Sequence, residues 1–293
     1  MRRRLFLAVH AVFLGAFFCL AAQAAGLPSQ KADDALVTQL QAAVEDQRYL
    51  DAGRLLEQAQ FTPGSDQRLF YWAGRLSLAR GGYEEALGYF RSVAPDSDLF
   101  GAANEGLGLA LLSLGRAGEA LPTLKAAVGK NPDSWRAWNG IATIFDARHD
   151  WPSAGDAYER AMAASGGAAI VLNNRGYSRL SQNKLDLAAA DFVAALQKKP
   201  DLAQARSNLR LVLAMKGEYE RAVSGATDGD RATVLNNAGF TAMLRGDYAK
   251  AKDLLTQAAG AKNEYYAKAA ENLELVKRLS DRSASGGGNA AGD

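Results

Sequence analysis

Few side chains in this 293-residue sequence could carry out acid–base, nucleophilic or metal chemistry. The only cysteine is Cys19 and the only histidines are His10 and His149, so a disulfide framework and cysteine-based metal sites are excluded. His149 lies beside Asp146 and Asp150, but a metal site would need further ligands there, and an exposed turn is the simpler interpretation. The sequence therefore predicts no enzymatic activity, no cofactor and no bound metal.

Four asparagines recur at nearly constant spacing in the C-terminal half: Asn174, Asn208, Asn237 and Asn272. A side-chain amide offers both a hydrogen-bond donor and an acceptor, which matches the N–H and C=O of a peptide backbone. Packed helices would place successive asparagines about 10 Å apart. Because an extended peptide advances ~3.3 Å per residue, successive asparagines would contact peptide residues that lie roughly three positions apart. The amides could instead bond neighbouring helices to each other, and the sequence leaves both alternatives open.

The composition is that of a folded, water-soluble protein, with 48% apolar and 23% charged residues. The net charge is +2, but three of the positive charges are Arg2, Arg3 and Arg4. Without them 31 basic residues stand against 32 acidic residues, a net charge of −1. This balance gives no electrostatic reason to expect nucleic-acid binding.

Residues 1–24 are predicted to be a signal peptide. Three arginines precede an apolar run from Leu5 to Ala22, and Ala22-Gln23-Ala24 matches an A-x-A cleavage site. Two alternatives remain open, an uncleaved membrane anchor and lipidation of Cys19, which is preceded by Phe18 where a lipoprotein signal favours a small residue. We expect export to the periplasm, with membrane association only if this segment is lipidated or retained.

A 34-residue period organises the rest of the chain. An alanine recurs at each step, at Ala52, Ala86, Ala120, Ala154, Ala188 and Ala222. Apolar or small residues at offsets of −3, +4 and +7 place each alanine on one face of a helix, where a neighbouring helix approaches closely. A second small residue twelve positions earlier, such as Gly74, Gly108 or Gly176, belongs to a preceding helix. Each period therefore predicts one helical hairpin.

The C-terminal repeats depart from this period. A seventh alanine, Ala251, follows Ala222 after 29 residues, so the second helix of repeat six should be cut short near residues 225–230. Residues 265–279 predict a last helix that caps the open end of the stack. The predicted organisation is a short linker at 25–32, a repeat solenoid with its cap at 33–279, and a disordered tail at 280–293.

The repeats resemble the tetratricopeptide repeat over nearly all of the chain that follows the N-terminal segment. The resemblance implies an all-α, right-handed superhelical solenoid of about seven hairpins plus a C-terminal capping helix. Solenoids of this kind bind proteins or peptide segments, and the first helix of each hairpin lines their concave groove. The resemblance therefore places the four asparagines in that groove.

Apolar residues near the asparagines are predicted to form the floor of this groove: Tyr177, Phe240, Leu180, Leu211 and Met243. Their exposure would indicate a partner surface. The N-terminal repeats lack the asparagines and carry Trp72 between Arg68 and Arg75 instead. Trp72 is a second, separate candidate for contact with a partner.

Residues from about Val171 to Leu279 are similar to TadD-type proteins of the bacterial tight-adherence (Flp) pilus. The similarity is carried by the LNN-x-G motifs at 172–176 and 235–239 and by the shortened sixth repeat between them. It implies an exported interaction scaffold that assists assembly of a Tad/Flp pilus or secretion apparatus, with pilus or secretin components as partners. The alternative is a general periplasmic adaptor that presents partners to cell-wall or proteolytic enzymes.

Overall fold

The computed structural model describes residues 32–59, 65–261 and 267–286. All fifteen elements within these ranges are α-helices, which confirms the predicted all-α fold. In chain order they are α1 Asp34–Glu45, α2 Tyr49–Ala59, α3 Gln67–Ala79, α4 Tyr83–Arg91, α5 Phe100–Ser113, α6 Ala117–Lys130, α7 Trp135–Ala147, α8 Trp151–Ser165, α9 Ala169–Ser181, α10 Leu185–Lys198, α11 Ala203–Met215, α12 Tyr219–Val223, α13 Arg231–Leu244, α14 Tyr248–Gly260 and α15 Ala267–Gly286. The predicted signal peptide and nearly all of the predicted linker lie outside the described residues.

The helices pair along the chain into seven hairpins, from α1 with α2 to α13 with α14, and α15 packs on α14 as a terminal helix. Each odd-numbered helix also contacts the next odd-numbered helix, from α1 with α3 through to α13 with α15. We call these the first helices, because each opens a hairpin. The first helices therefore form one continuous face of the solenoid, as the resemblance to the tetratricopeptide repeat implies.

The recurring alanines lie where two helices meet. None is more than 1% exposed: Ala52, Ala86, Ala120, Ala154, Ala188, Ala222 and Ala251. On the first helices, a Cβ atom added to Gly108 would lie 2.5 Å from the Leu124 side chain, and one added to Gly176 would lie 2.8 Å from the Phe192 ring. Only glycine fits at these two positions, because the core side chain packs directly on the helix backbone. The 34-residue period in the sequence therefore reflects a helix–helix contact that recurs once in each hairpin.

Overpacking tests this register. Ala120→Leu or Ala154→Leu should each lower the free energy of unfolding by about 1–3 kcal/mol, because the added atoms have no space between the helices. Ala126 lies on the same helix as Ala120 but is exposed, so Ala126→Leu should change the stability by less than ~0.5 kcal/mol. Chemical denaturation followed by circular dichroism measures all three. Equal stability of the three variants would contradict the assigned packing.

The turn inside each hairpin needs one residue with left-handed backbone. The φ angles at these positions run from 57° to 83°, at Gln47, Gly81, Gly115, His149, Asn183, Gly217 and Gly246. Glycine occupies four of the seven positions because it adopts positive φ without a steric penalty. His149 therefore stands at a repeated turn position and is exposed there, in agreement with its interpretation as a turn residue.

Repeat six is shortened as predicted. Its second helix, α12, has 5 residues, whereas α10 in the preceding repeat has 14. Arg210 replaces the small residue that most other first helices carry at this point, and its guanidinium bonds the Asp230 carboxylate at 3.0 Å. The long side chain of Arg210 is mostly buried.

The expectation of a disordered tail from residue 280 is wrong for its first part. Helix α15 continues to Gly286, so residues 280–286 are helical. Neither glycine nor proline, the residues least compatible with a helix, occurs among Asp281, Arg282 and Ala284, and the glycine run begins only at Gly286. Residues 287–293 lie outside the described part of the chain.

Candidate functional site

Two adjoining depressions run across the first helices of the C-terminal half. One has a volume of about 800 Å³ and lies among α7, α9 and α11; the other, of about 430 Å³, lies between α11 and α13. Both are lined by Ser207 and Asn208, so they form one path, which we call the groove. Asn174 and Tyr177 line the first depression, and Asn237 and Phe240 line the second. Asn272 lies on the next first helix, α15, beyond both depressions.

Asparagine amides join neighbouring first helices along this groove. The Nδ2 of Asn174 donates to the Oδ1 of Asn139 on α7 at 3.1 Å, and Asn208 on α11 donates to Asn173 on α9 at the same distance. Asn272 on α15 likewise donates to Asn236 on α13 at 2.9 Å. The adjacent pairs Asn173–Asn174 and Asn236–Asn237 are also bonded, at 3.2 and 3.3 Å. Within the described residues the row is interrupted only between α11 and α13, where Ser207 holds the acceptor position.

These bonds bear on the two alternatives that the sequence left open for the four amides. Three of the four bridge helices, as in the alternative that the sequence left open. Each bond uses one of the two amide hydrogens and one of two lone pairs on the acceptor oxygen, so every amide keeps hydrogen-bonding capacity. Sequence reasoning missed the acceptors Asn139, Asn173 and Asn236. The doubled asparagines of the two LNN motifs were the available signal for them.

A second row, of apolar side chains, lies one helical turn from the asparagines. Each member follows its asparagine by three residues: Tyr177, Leu211, Phe240 and Leu275, with exposures of 57%, 41%, 38% and 37%. We call this set the apolar row. The predicted neighbours Leu180 and Met243 do not belong to it, because Leu180 is half-buried and Met243 is buried. Leu275 was missed, although the three-residue offset from Asn272 identifies it.

The expectation that Trp72 contacts a partner at the surface is wrong, because its side chain is buried. It is 7% exposed and packs edge-on against Tyr71 with ring centroids 5.0 Å apart, while Arg75 lies over its ring at 5.7 Å. Trp72 occupies the repeat position that Asn174 holds three periods later. The intervening positions are Gly106, whose added Cβ would lie 2.3 Å from the Phe90 ring, and Gly140. The N-terminal repeats therefore use this position for packing.

Asp146 lies at one end of the groove. Its two carboxylate oxygens accept hydrogen bonds from the Tyr158 hydroxyl at 2.7 Å and the Ser178 hydroxyl at 2.6 Å. Burial raises the pKa of Asp146 above its ordinary value, although both hydrogen bonds lower it. Burial and the adjacent carboxylate also raise the pKa of Tyr158. The rings of His149 and Trp151 lie edge to face at 5.0 Å beside it.

The raised pKa has a measurable consequence. Between the pKa of Asp146 in the unfolded chain and its higher pKa in the folded protein, the folded protein binds a proton that the unfolded chain has released. Above the folded-state pKa, the ionised and partly buried carboxylate therefore lowers the free energy of unfolding. This cost disappears as the pH falls toward the ordinary aspartate value. Compared with Asp146→Asn, the wild type should therefore gain stability between pH 7 and pH 4. Denaturant titration of both proteins tests this, and a difference that does not change with pH would contradict it.

Within the described ranges, no group of three or more His, Cys, Asp or Glu side chains is placed to hold a metal ion. None of the helices in those ranges has the length and apolar character needed to cross a bilayer.

Comparison with known proteins identifies the repeat. The tetratricopeptide repeat family profile matches residues 105–169 and 173–228. Protein FlbA of Caulobacter vibrioides (strain ATCC 19089 / CIP 103742 / CB 15) is 32% identical over 136 residues, which cover 44% of this chain and 22% of FlbA. This chain therefore spans less than a quarter of the length of that relative.

Solved structures share the fold. A chain of the APC/C hetero-tetramer Cut9–Hcn1 superposes with a TM-score of 0.60 at 15% identity, covering 84% of this chain and 49% of that one. The tetratricopeptide protein TTC0263 of Thermus thermophilus gives 0.53 at 21% identity, over 62% of this chain and 99% of its own. The chain is a tetratricopeptide solenoid in fold.

Proposed function

We propose that this tetratricopeptide solenoid holds an extended segment of a partner protein in the groove, which runs from α7 to α13, and along the adjoining face of α15. The fold itself suggests a protein–protein interaction scaffold, and tetratricopeptide proteins are generally scaffolds without enzymatic activity. The observation that carries the proposal is the pairing of two rows, the asparagines and the apolar row, on four consecutive first helices. The amides offer hydrogen bonds to a backbone and the apolar row offers area to side chains.

The spacing of the rows suits such a ligand. Hydrogen bonds of 2.9–3.1 Å join asparagines on neighbouring first helices, so those helices are in direct contact. Packed helices lie about 8–10 Å apart, which is roughly three residues of an extended chain at ~3.3 Å each. Four successive helices would therefore bind about ten residues of the partner.

We further propose that the protein is exported and assists assembly of a Tad/Flp-type pilus or secretion apparatus. Support comes from the similarity of residues 171–279 to TadD-type proteins and from the basic, then apolar N-terminal segment with its A-x-A site. The partners would then be pilus or secretin components. A general periplasmic adaptor for cell-wall or proteolytic enzymes would use the same groove.

Site-specific photo-crosslinking in the native cells tests the proposal. Benzoylphenylalanine would replace Tyr177 or Phe240 in the groove and, as a control, Leu187, which is 50% exposed on the second helix α10. We expect adducts from the two groove positions that map to one short segment of a pilus or secretin component. Adducts to cell-wall enzymes would favour the adaptor alternative. Equal adducts from Leu187 and the groove would contradict binding in the groove.

Export is tested separately by intact-mass spectrometry of the protein from the periplasmic fraction. The expected mass corresponds to a chain that begins at Ala25, because cleavage after Ala24 satisfies the small-residue requirement of the peptidase. A mass that retains residues 1–24, or that includes a diacylglyceryl group on Cys19, would contradict processing at this site.

A further inference from the structure

We infer that the bound segment carries an apolar side chain at every third residue and a basic side chain at the end of the groove where Asp146 lies. The inference rests on the proposed function, that the groove holds an extended segment. It defines the conformation and side-chain pattern of that segment.

The period of three follows from the helix spacing. A polyproline II segment has three residues per turn and rises ~3.1 Å per residue, so every third side chain returns to the same face after about 9.3 Å. This distance agrees with the separation of about 8–10 Å between packed helices. A β-strand instead repeats its faces every second residue, after ~6.6–6.8 Å, and loses register with the helices. The apolar row has one member on each of four helices, so a polyproline II segment matches it one side chain per helix.

The apolar character follows from the lining of the second depression. Leu211 and Phe240 stand on opposite helices of this depression, and small side chains, including Ala214, Ala222 and Ala238, line it between them. Its two charged residues, Arg210 and Asp230, are paired with each other at 3.0 Å. An apolar side chain can therefore enter the depression without leaving a charge unpaired.

The basic residue follows from charge complementarity at the other end. On α7 the position of the apolar row is taken by Thr143, and Asp146 follows one turn later. In the described part of the chain, Asp146 has hydroxyl partners but no lysine or arginine within ion-pair distance. The aromatic rings of Trp151 and Tyr177 line the same depression. A lysine or arginine side chain would complement this carboxylate and contact the rings.

Synthetic peptides test the pattern. The probe is an acetylated, fluorophore-labelled peptide of about 13 residues that begins with lysine and carries leucine at every third position, with proline and serine between, to favour polyproline II. One control peptide has the same composition with leucines at alternate positions. A second control has glutamate in place of the lysine. Fluorescence anisotropy measures the affinity of the full chain and of Asp146→Asn for each peptide.

We expect the probe to bind at least about tenfold tighter than the alternating control, because each misplaced leucine loses contact with the apolar row. The preference for lysine over glutamate should disappear in Asp146→Asn, and Leu187→Ala, outside the groove, should bind as the wild type does. Equal affinity for the two leucine patterns, or an unchanged lysine preference in Asp146→Asn, would overturn the inference. If the probe and the alternating control bind equally and Asn237→Ala weakens both, the inference about the side-chain pattern fails and the proposed function is retained. If no peptide binds but groove crosslinks still form, the inference alone fails; if neither occurs, both fail.

Discussion

Replacement of Phe192 by alanine should lower the free energy of unfolding by about 3–5 kcal/mol. Phe192 is fully buried, and its ring lies against the backbone at Gly176, where an added Cβ would be 2.8 Å away. It also packs with Leu172 and Val212 in the cluster that joins repeats five and six. Because a glycine faces the ring, no side chain at that position can move in to fill the cavity.

The adjacent residue provides a matched control. Val193 is on the same helix and is 40% exposed, so Val193→Ala should change stability by less than ~0.5 kcal/mol. Denaturant unfolding followed by circular dichroism compares the two variants. If Phe192→Ala were no more destabilising than Val193→Ala, the assignment of Phe192 to the core would be wrong.

Replacement of all four asparagines by alanine should weaken partner binding at least about thirtyfold, since each neutral hydrogen bond contributes roughly 0.5–1.5 kcal/mol. Simple addition over four sites is an upper bound. The folded protein should also lose stability, because Asn174, Asn208 and Asn272 bridge helices in the free protein. Calorimetric titration with the segment recovered by crosslinking measures binding, and thermal unfolding measures stability.

Single variants separate these two effects. Asn237 is exposed and bridges no first helices in the described contacts, but its Oδ1 accepts a hydrogen bond of 3.3 Å from the buried Asn236 on its own helix. Asn237→Ala should therefore cost no more than about 1 kcal/mol of stability and still weaken binding. Asn208→Ala removes the donor to Asn173 and should cost about 1 kcal/mol of stability. A loss of stability without loss of binding in both variants would assign the asparagines to helix packing alone.

The repeat architecture was predictable because close helix packing restricts the residue type at fixed positions. The position of Ala120 is an alanine in all seven repeats and that of Gly108 is small in most of them, so a one-dimensional period reports a three-dimensional contact. The 29-residue step after Ala222 located the shortened α12 for the same reason. These features depend on local periodicity and need no knowledge of neighbouring side-chain conformations.

The candidate site was only partly predictable because its details depend on contacts between repeats. Asn174 and Asn208 were found by their spacing, but their bonds to Asn139 and Asn173 depend on how closely the first helices pack. Trp72 has the repeat position of a groove residue, yet packing against Tyr71 near the N-terminal end buries it. Periodicity identifies equivalent positions but does not determine which are exposed.

The central claim is that asparagine amides in the groove bind the backbone of a partner segment. Side-chain amide signals in ¹H–¹⁵N spectra of the labelled full chain test it most directly, with the crosslinked partner segment as titrant. We predict that the Nδ2 signals of Asn174, Asn208 and Asn237 shift on binding, whereas those of Asn131 and Asn183, in turns outside the groove, do not. Saturable binding that leaves the three groove signals unchanged would contradict the account.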